Sequence, residues 1–124
     1  MSSYYEKFLA TGEVKCIDEE IPFEIPQGWE WSRMGSIGDW GAGATPAKGN
    51  TSYYGGNILW LRTGELNNSI VNDTEIKITD KALKECSLRL NKAGDVLIAM
   101  YGATIGKVAI AGCELTTNQA CCAC

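Results

Sequence analysis

The chain has 124 residues, 45% of them hydrophobic and 21% charged, with 14 glycines and a formal net charge of −4. That length suits one domain with one modest core, and no apolar run approaches the roughly 20 residues that span a bilayer. The acidic balance argues against a generic nucleic-acid binder, whose affinity draws on a basic surplus, but the acids are unevenly placed. Residues 13–30 hold Glu13, Asp18, Glu19, Glu20, Glu24 and Glu30 against Lys15 alone, so the remainder is close to balanced and has room for a basic face.

In chain order, Met1 to Ala10 is polar and aromatic. It lacks the basic start and apolar stretch of a signal peptide, which makes the cytoplasm the expected compartment. Residues 1–20 read as a lead-in, in which Tyr4–Leu9 is expected to form a helical turn or two that Gly12 ends. Residues 21–124 read as one domain. Ile21-Pro22-Phe23-Glu24-Ile25-Pro26 is held extended by its two prolines. Trp29-Glu30-Trp31-Ser32-Arg33 alternates bulky and polar residues, as an edge strand does. Gly35 to Gly56 is rich in Gly, Thr, Ser and Asn and reads as a long ordered loop with strand fragments, a kind of segment that is more often functional than idle.

Ile58-Leu59-Trp60-Leu61-Arg62 is a predicted buried strand that runs into Thr63-Gly64-Glu65-Leu66, and Glu75–Ile78 is a predicted short strand. Thr79 or Asp80 is placed to cap a short helix through Lys84. Lys92-Ala93-Gly94-Asp95 is a turn. Val96–Met100 is apolar on both faces and is expected at the centre of a sheet. Tyr101 to Gly106 forms the next loop, Lys107–Ala111 the return strand, and Thr116–Gln119 leads into a cysteine-rich strand. Many short strands, little helix and long Gly-rich loops together predict a strand-dominated α+β domain. The chain stops inside an apolar strand, so the domain is expected to be truncated.

The absent chemistry narrows the field. Without histidine there is no Ser-His-Asp or Cys-His arrangement and no histidine-ligated zinc. Gly102-Ala103-Thr104-Ile105-Gly106-Lys107-Val108 resembles a phosphate loop only superficially. Its first glycine stands one residue too close to the Gly-Lys pair, and Val108 replaces the Ser or Thr that holds magnesium. No dinucleotide fingerprint is present, and no cofactor is expected. Of the six cysteines, Cys113, Cys121, Cys122 and Cys124 invite a thiolate metal reading. They lack Cys-x-x-Cys spacing, and alternate strand residues point apart, so a buried strand of small soft side chains is the expectation and no metal is assigned.

Five motifs in order go beyond composition: Ile25-Pro26-Gln27-Gly28-Trp29-Glu30-Trp31; Gly43-Ala44-Thr45-Pro46; Tyr53-Tyr54-Gly55-Gly56-Asn57-Ile58-Leu59-Trp60-Leu61; Gly94 to Lys107; and Thr116-Thr117-Asn118-Gln119-Ala120. In this order and spacing the chain resembles the target-recognition domain of type I restriction–modification specificity subunits, over roughly residues 20–124. A full specificity subunit of that family resembles two such domains separated by long helices; this sequence matches one incomplete domain and has no long heptad-like helix. The resemblance implies a non-catalytic protein that reads one half of a bipartite site in double-stranded DNA. Partner modification subunits would methylate adenine, and partner restriction subunits would translocate and cleave. The alternative is a truncated module that docks a modification subunit without binding DNA.

On that reading, phosphate contacts fix register and base-edge contacts carry sequence. Lys48, Arg62 and Lys107 are the cationic candidates, each in or beside a Gly-rich loop. Arg62 suits a guanine edge or an ion pair with Glu65 or another carboxylate. Lys107 suits a phosphate or plain solvation. Asn118 and Gln119 carry amides suited to adenine or to loop backbone groups. Thr63, Tyr101 and Thr104 lie in the adjoining loops, while Thr45-Pro46 is read as shaping its own. Trp29, Trp31 and Trp60 are stacking candidates, with core packing the ordinary role for tryptophan.

Overall fold

The computed structural model describes residues 3–124. They divide into two compact units, one running to Arg33 and one from Met34 to Cys124.

The first unit holds a hairpin of β1 (Tyr5–Lys7) and β2 (Val14–Cys16), paired antiparallel with Tyr5 opposite Cys16. The helical turn expected over Tyr4–Leu9 is therefore a strand. A few residues make too short a helix to stand alone in water, whereas Gly12 at φ +74° turns the chain back so that its N–H reaches the Phe8 carbonyl at 2.7 Å. A 3-10 turn at Asp18–Glu20 follows. Arg33 ties the unit together, with Nε 2.6 Å from Glu6 and Nη2 3.1 Å from Glu20. Its hydrogen bonds lower the pKa of both carboxyls. The edge strand expected at Trp29–Arg33 does not form; instead Trp31 packs its ring on Phe23 at 5.2 Å.

The second unit contains the principal core. After a single helical turn, α1 (Met34–Ile37), come β3 (Gly41–Ala42), β4 (Tyr54–Leu61), β5 (Ile70–Val71), β6 (Ile76–Ile78), α2 (Asp80–Glu85), β7 (Val96–Ala99), β8 (Val108–Ala111), β9 (Thr116–Thr117) and β10 (Cys121–Ala123). Five of the strands form one sheet in the order β3-β10-β7-β8-β5, and three form another in the order β6-β4-β9. β7 takes the central place expected from its apolar sequence. β10 and β8 flank it antiparallel, with Cys121 opposite Ala99 and Leu97 opposite Ala109. β5, which the sequence did not announce, runs parallel to β8. The short helix starts where capping chemistry puts it: the Thr79 hydroxyl accepts from the Ala82 N–H at 3.3 Å.

Leu61, Leu97, Leu115 and Cys121 are fully buried between the sheets, while Trp60 and Ile78 pack with Ala82 of α2 in a second cluster. Only one face of β7 and β8 is buried. Val96, Val108 and Ile110 lie on the other, with Ile70 of β5 beside them, 38 to 55% exposed. No helix among the described residues is long and apolar enough to cross a membrane.

The register places several loop-bearing strand ends along one border of the larger sheet. β7 and β3 finish there, and β8, β10 and β5 begin there. Loops 43–50, 67–69, 100–107 and 118–120 therefore leave from the same side.

Candidate nucleic-acid interface

The turn between β9 and β10 organises the site because it links the two sheets. β9 runs parallel to the end of β4, with Thr117 opposite Leu61, and the Asn118 N–H donates to the Leu61 carbonyl at 2.9 Å. On the other side the Ala44 N–H donates to the Thr117 carbonyl at 3.0 Å. A Cβ at Gly43 would overlap that same carbonyl, so the close approach of the two chains requires glycine there.

An open groove of about 570 Å³ results, lined by Thr45, Lys48, Tyr54, Trp60, Arg62, Ile76, Asn118 and Gln119. Its aromatic wall is fixed. Trp60 is 3% exposed, donates its indole N–H to the Ala44 carbonyl at 3.0 Å and meets Tyr54 edge-on, while the Tyr54 hydroxyl donates to the Pro46 carbonyl. Trp60 is thus core and not a stacking platform. The Gln119 side-chain oxygen accepts a hydrogen bond from the Thr45 hydroxyl, which fixes that exposed amide at the rim. Thr45 therefore positions Gln119 as well as shaping its own loop.

Lys48 is exposed and makes no ion pair among the described residues. Arg62 is paired. Its Nη2 lies 2.8 Å from Glu75, and its Nε lies 3.8 Å from Glu65 and lacks a hydrogen-bond partner. Of the carboxylates open to Arg62 as ion-pair partners, Glu75 is the closer and Glu65 the more distant.

Four of the sequence-predicted residues, Lys48, Arg62, Asn118 and Gln119, line the one groove; Thr63, Tyr101, Thr104 and Lys107 do not. Thr63 opens a 3-10 turn just after Arg62. Tyr101, Thr104 and Lys107 belong to the β7–β8 hairpin, where Gly102 and Gly106 take positive φ and the Lys107 N–H closes on the Thr104 carbonyl at 3.0 Å. The hairpin borders the groove's turn through the Met100 N–H, 2.8 Å from the Ala120 carbonyl. It joins two antiparallel strands and no helix follows it, so it lacks the helix start that a phosphate loop uses.

The cysteines sit as a strand requires. Cys121 is fully buried, its thiol pushed up to about 11 chiefly by burial, and Cys122 faces the other way, partly exposed. No group of three or more His, Cys, Asp or Glu side chains among the described residues is placed to hold a metal ion.

The family model for the type I restriction modification DNA specificity domain matches residues 26–124. The chain belongs to that family. It is 40% identical, over 99 residues, to the type I restriction enzyme MjaIX specificity subunit of Methanocaldococcus jannaschii, an alignment that covers 77% of this chain and 23% of that protein. Against the EcoR124I/EcoR124II specificity subunit of Escherichia coli the identity is 30% over 94 residues, covering 73% of this chain and 23% of that protein. The chain thus spans about a quarter of the length of these specificity subunits. A chain from a structural study of complex assembly and conformational transition in the type I R-M system shares the fold. Its TM-score is 0.63 at 21% identity, over 82% of this chain and 24% of that one. The expected strand-dominated α+β architecture is the one found.

Proposed function

We propose that this specificity-family chain reads the sequence of double-stranded DNA, as one half of a bipartite site. Residues 1–20 would lead into a recognition domain at 21–124. The observation that carries the proposal is the meeting of Lys48, Arg62, Asn118 and Gln119, from three separate loops, in one open groove. The groove supplies both kinds of contact that DNA reading requires. Lys48, with Lys107 on the neighbouring hairpin, is suited to phosphate, and the amides and guanidinium are suited to base edges. A rigid aromatic wall behind them keeps their geometry preset. The chain has no histidine and is assigned no chemistry of its own. Methylation and cleavage would belong to modification and restriction subunits in the cytoplasm.

Fluorescence anisotropy with labelled duplexes tests this on the whole chain. Lys48→Ala and Lys107→Ala are each expected to weaken binding to all sequences and to flatten the salt dependence by about one unit of slope. Gln119→Ala is expected to cost about 1–3 kcal/mol at one base pair and to relax preference there. Absence of binding, or binding indifferent to sequence, overturns the proposal.

A second reading, docking of a modification subunit without DNA contact, is favoured by the exposed apolar face of Ile70, Val96, Val108 and Ile110. Co-purification with that subunit, with no affinity for any duplex, would select it.

A further inference from the structure

Within the groove, Arg62 is an unusual cation to aim at DNA, because a carboxylate already covers part of it. The Glu75 carboxylate sits 2.8 Å from Arg62 Nη2, with its side chain 77% exposed against 41% for the arginine. A phosphate approaching Arg62 would meet that second negative charge. A base pair would not, since it is neutral overall and presents donors and acceptors side by side.

The pair is also preset. Glu65 accepts from the Arg62 N–H through one carboxylate oxygen and from the Glu75 N–H through the other, each at 2.9 Å. One buttressing side chain therefore fixes the backbones of both residues. Both of its oxygens are engaged with backbone, whereas Glu75 remains accessible and Arg62 keeps N–H groups beyond the one given to Glu75. An exposed ion pair contributes little to stability, so such a built arrangement needs another reason.

We infer that Arg62 and Glu75 act together as a reading head for a single G·C pair. The guanidinium would donate to guanine N7 and O6, and the carboxylate would accept from the exocyclic amine of the paired cytosine. In the major groove that edge offers two acceptors and then a donor, which complements an arginine beside a glutamate. An A·T pair would set its adenine amine or thymine methyl against the guanidinium. Glu75 is thereby a specificity-determining residue, and Glu65 a positioning residue. The inference rests on the groove being a DNA-reading surface.

Selection of the full chain against randomised duplexes, repeated with Arg62→Ala, Glu75→Ala and Glu75→Gln, tests it. The wild-type set is expected to contain a G·C pair whose preference is lost at the same position in both alanine variants. Affinity for the selected duplex should fall about five- to 150-fold in Arg62→Ala. Glu75→Gln keeps the side chain's shape and one acceptor oxygen, so it should retain part of the preference. Thermal melting of each variant should match wild type, because the Glu65 bonds use backbone groups. If the wild type selects a sequence but Glu75→Ala selects the same one, the reading head is wrong and the DNA-reading groove stands. A gain in affinity for every duplex in Glu75→Ala would also overturn it, making Glu75 an electrostatic brake. If the wild type binds no duplex, the DNA-reading groove fails and the reading head with it.

Discussion

Leu97 is fully buried in the centre of the larger sheet, and Ile110, opposite Val96 on the neighbouring strand, is 38% exposed on the far face. The two aliphatic residues therefore have different energetic weights. Leu97→Ala leaves a cavity that its fully packed neighbours cannot close and is expected to cost about 2–5 kcal/mol. Ile110→Thr keeps the β-branched shape at a partly exposed position and should cost less, within about 1 kcal/mol of wild type. Chemical denaturation midpoints decide between these outcomes. Cys121 provides a pH-dependent case. Burial raises its thiol from 9.0 to about 11, against smaller lowering by Thr117 and Ile98. Between those values the folded chain keeps a proton that the unfolded chain has released. Stability should therefore fall as pH rises through that window. Cys121→Ala should remove that component while leaving any contribution from Tyr53 and Tyr54, whose pKa values are also raised by burial. Denaturation midpoints of the two proteins at both ends of the window check this.

Among the elements, the connection between loop 43–50 and the β9–β10 turn matters most for the site. Gly43→Ala would drive a methyl group into the Thr117 carbonyl. Since backbone has to move there, the loop carrying Thr45 and Lys48 should be displaced. The melting temperature and DNA affinity are both expected to fall although no contact residue is lost, and calorimetry with anisotropy would record the two together. The elements that were legible in the sequence are those with a local signal. β7, β8 and the Ile58–Leu61 half of β4 are continuous apolar runs, and α2 begins at a threonine that caps it, whereas Tyr54–Asn57, which opens β4, has the glycines of a loop. β5 and β9 have two residues each and exist only through partners far along the chain, Ile110 with Ala111 and Trp60 with Leu61. Tyr4–Leu9 reads as helix and Trp29–Arg33 as strand because short stretches mixing aromatic and polar residues fit both periods. Within the site, the loops stood out through their glycine and threonine content. The hydrogen bond from Thr45 to Gln119 spans 74 positions and that from Arg62 to Glu75 spans 13, and neither leaves a local pattern.

For the whole molecule, the net charge of −4 stands at first sight against the proposed reading of DNA. Much of the acidity lies in residues 13–30, where Arg33 engages Glu20 and also Glu6 just upstream. The groove lies in the other unit, with two cations and two amides in its lining. A small number of phosphate contacts gives modest, salt-sensitive affinity, so discrimination has to come from base edges. Equilibrium binding of the 124-residue chain to a selected duplex and to a shuffled duplex of the same composition, across a salt series, tests this most directly. Both affinities should decline with salt, with the selected duplex at least about tenfold tighter throughout. Equal affinities for the two duplexes at every salt concentration would contradict sequence reading by this fold.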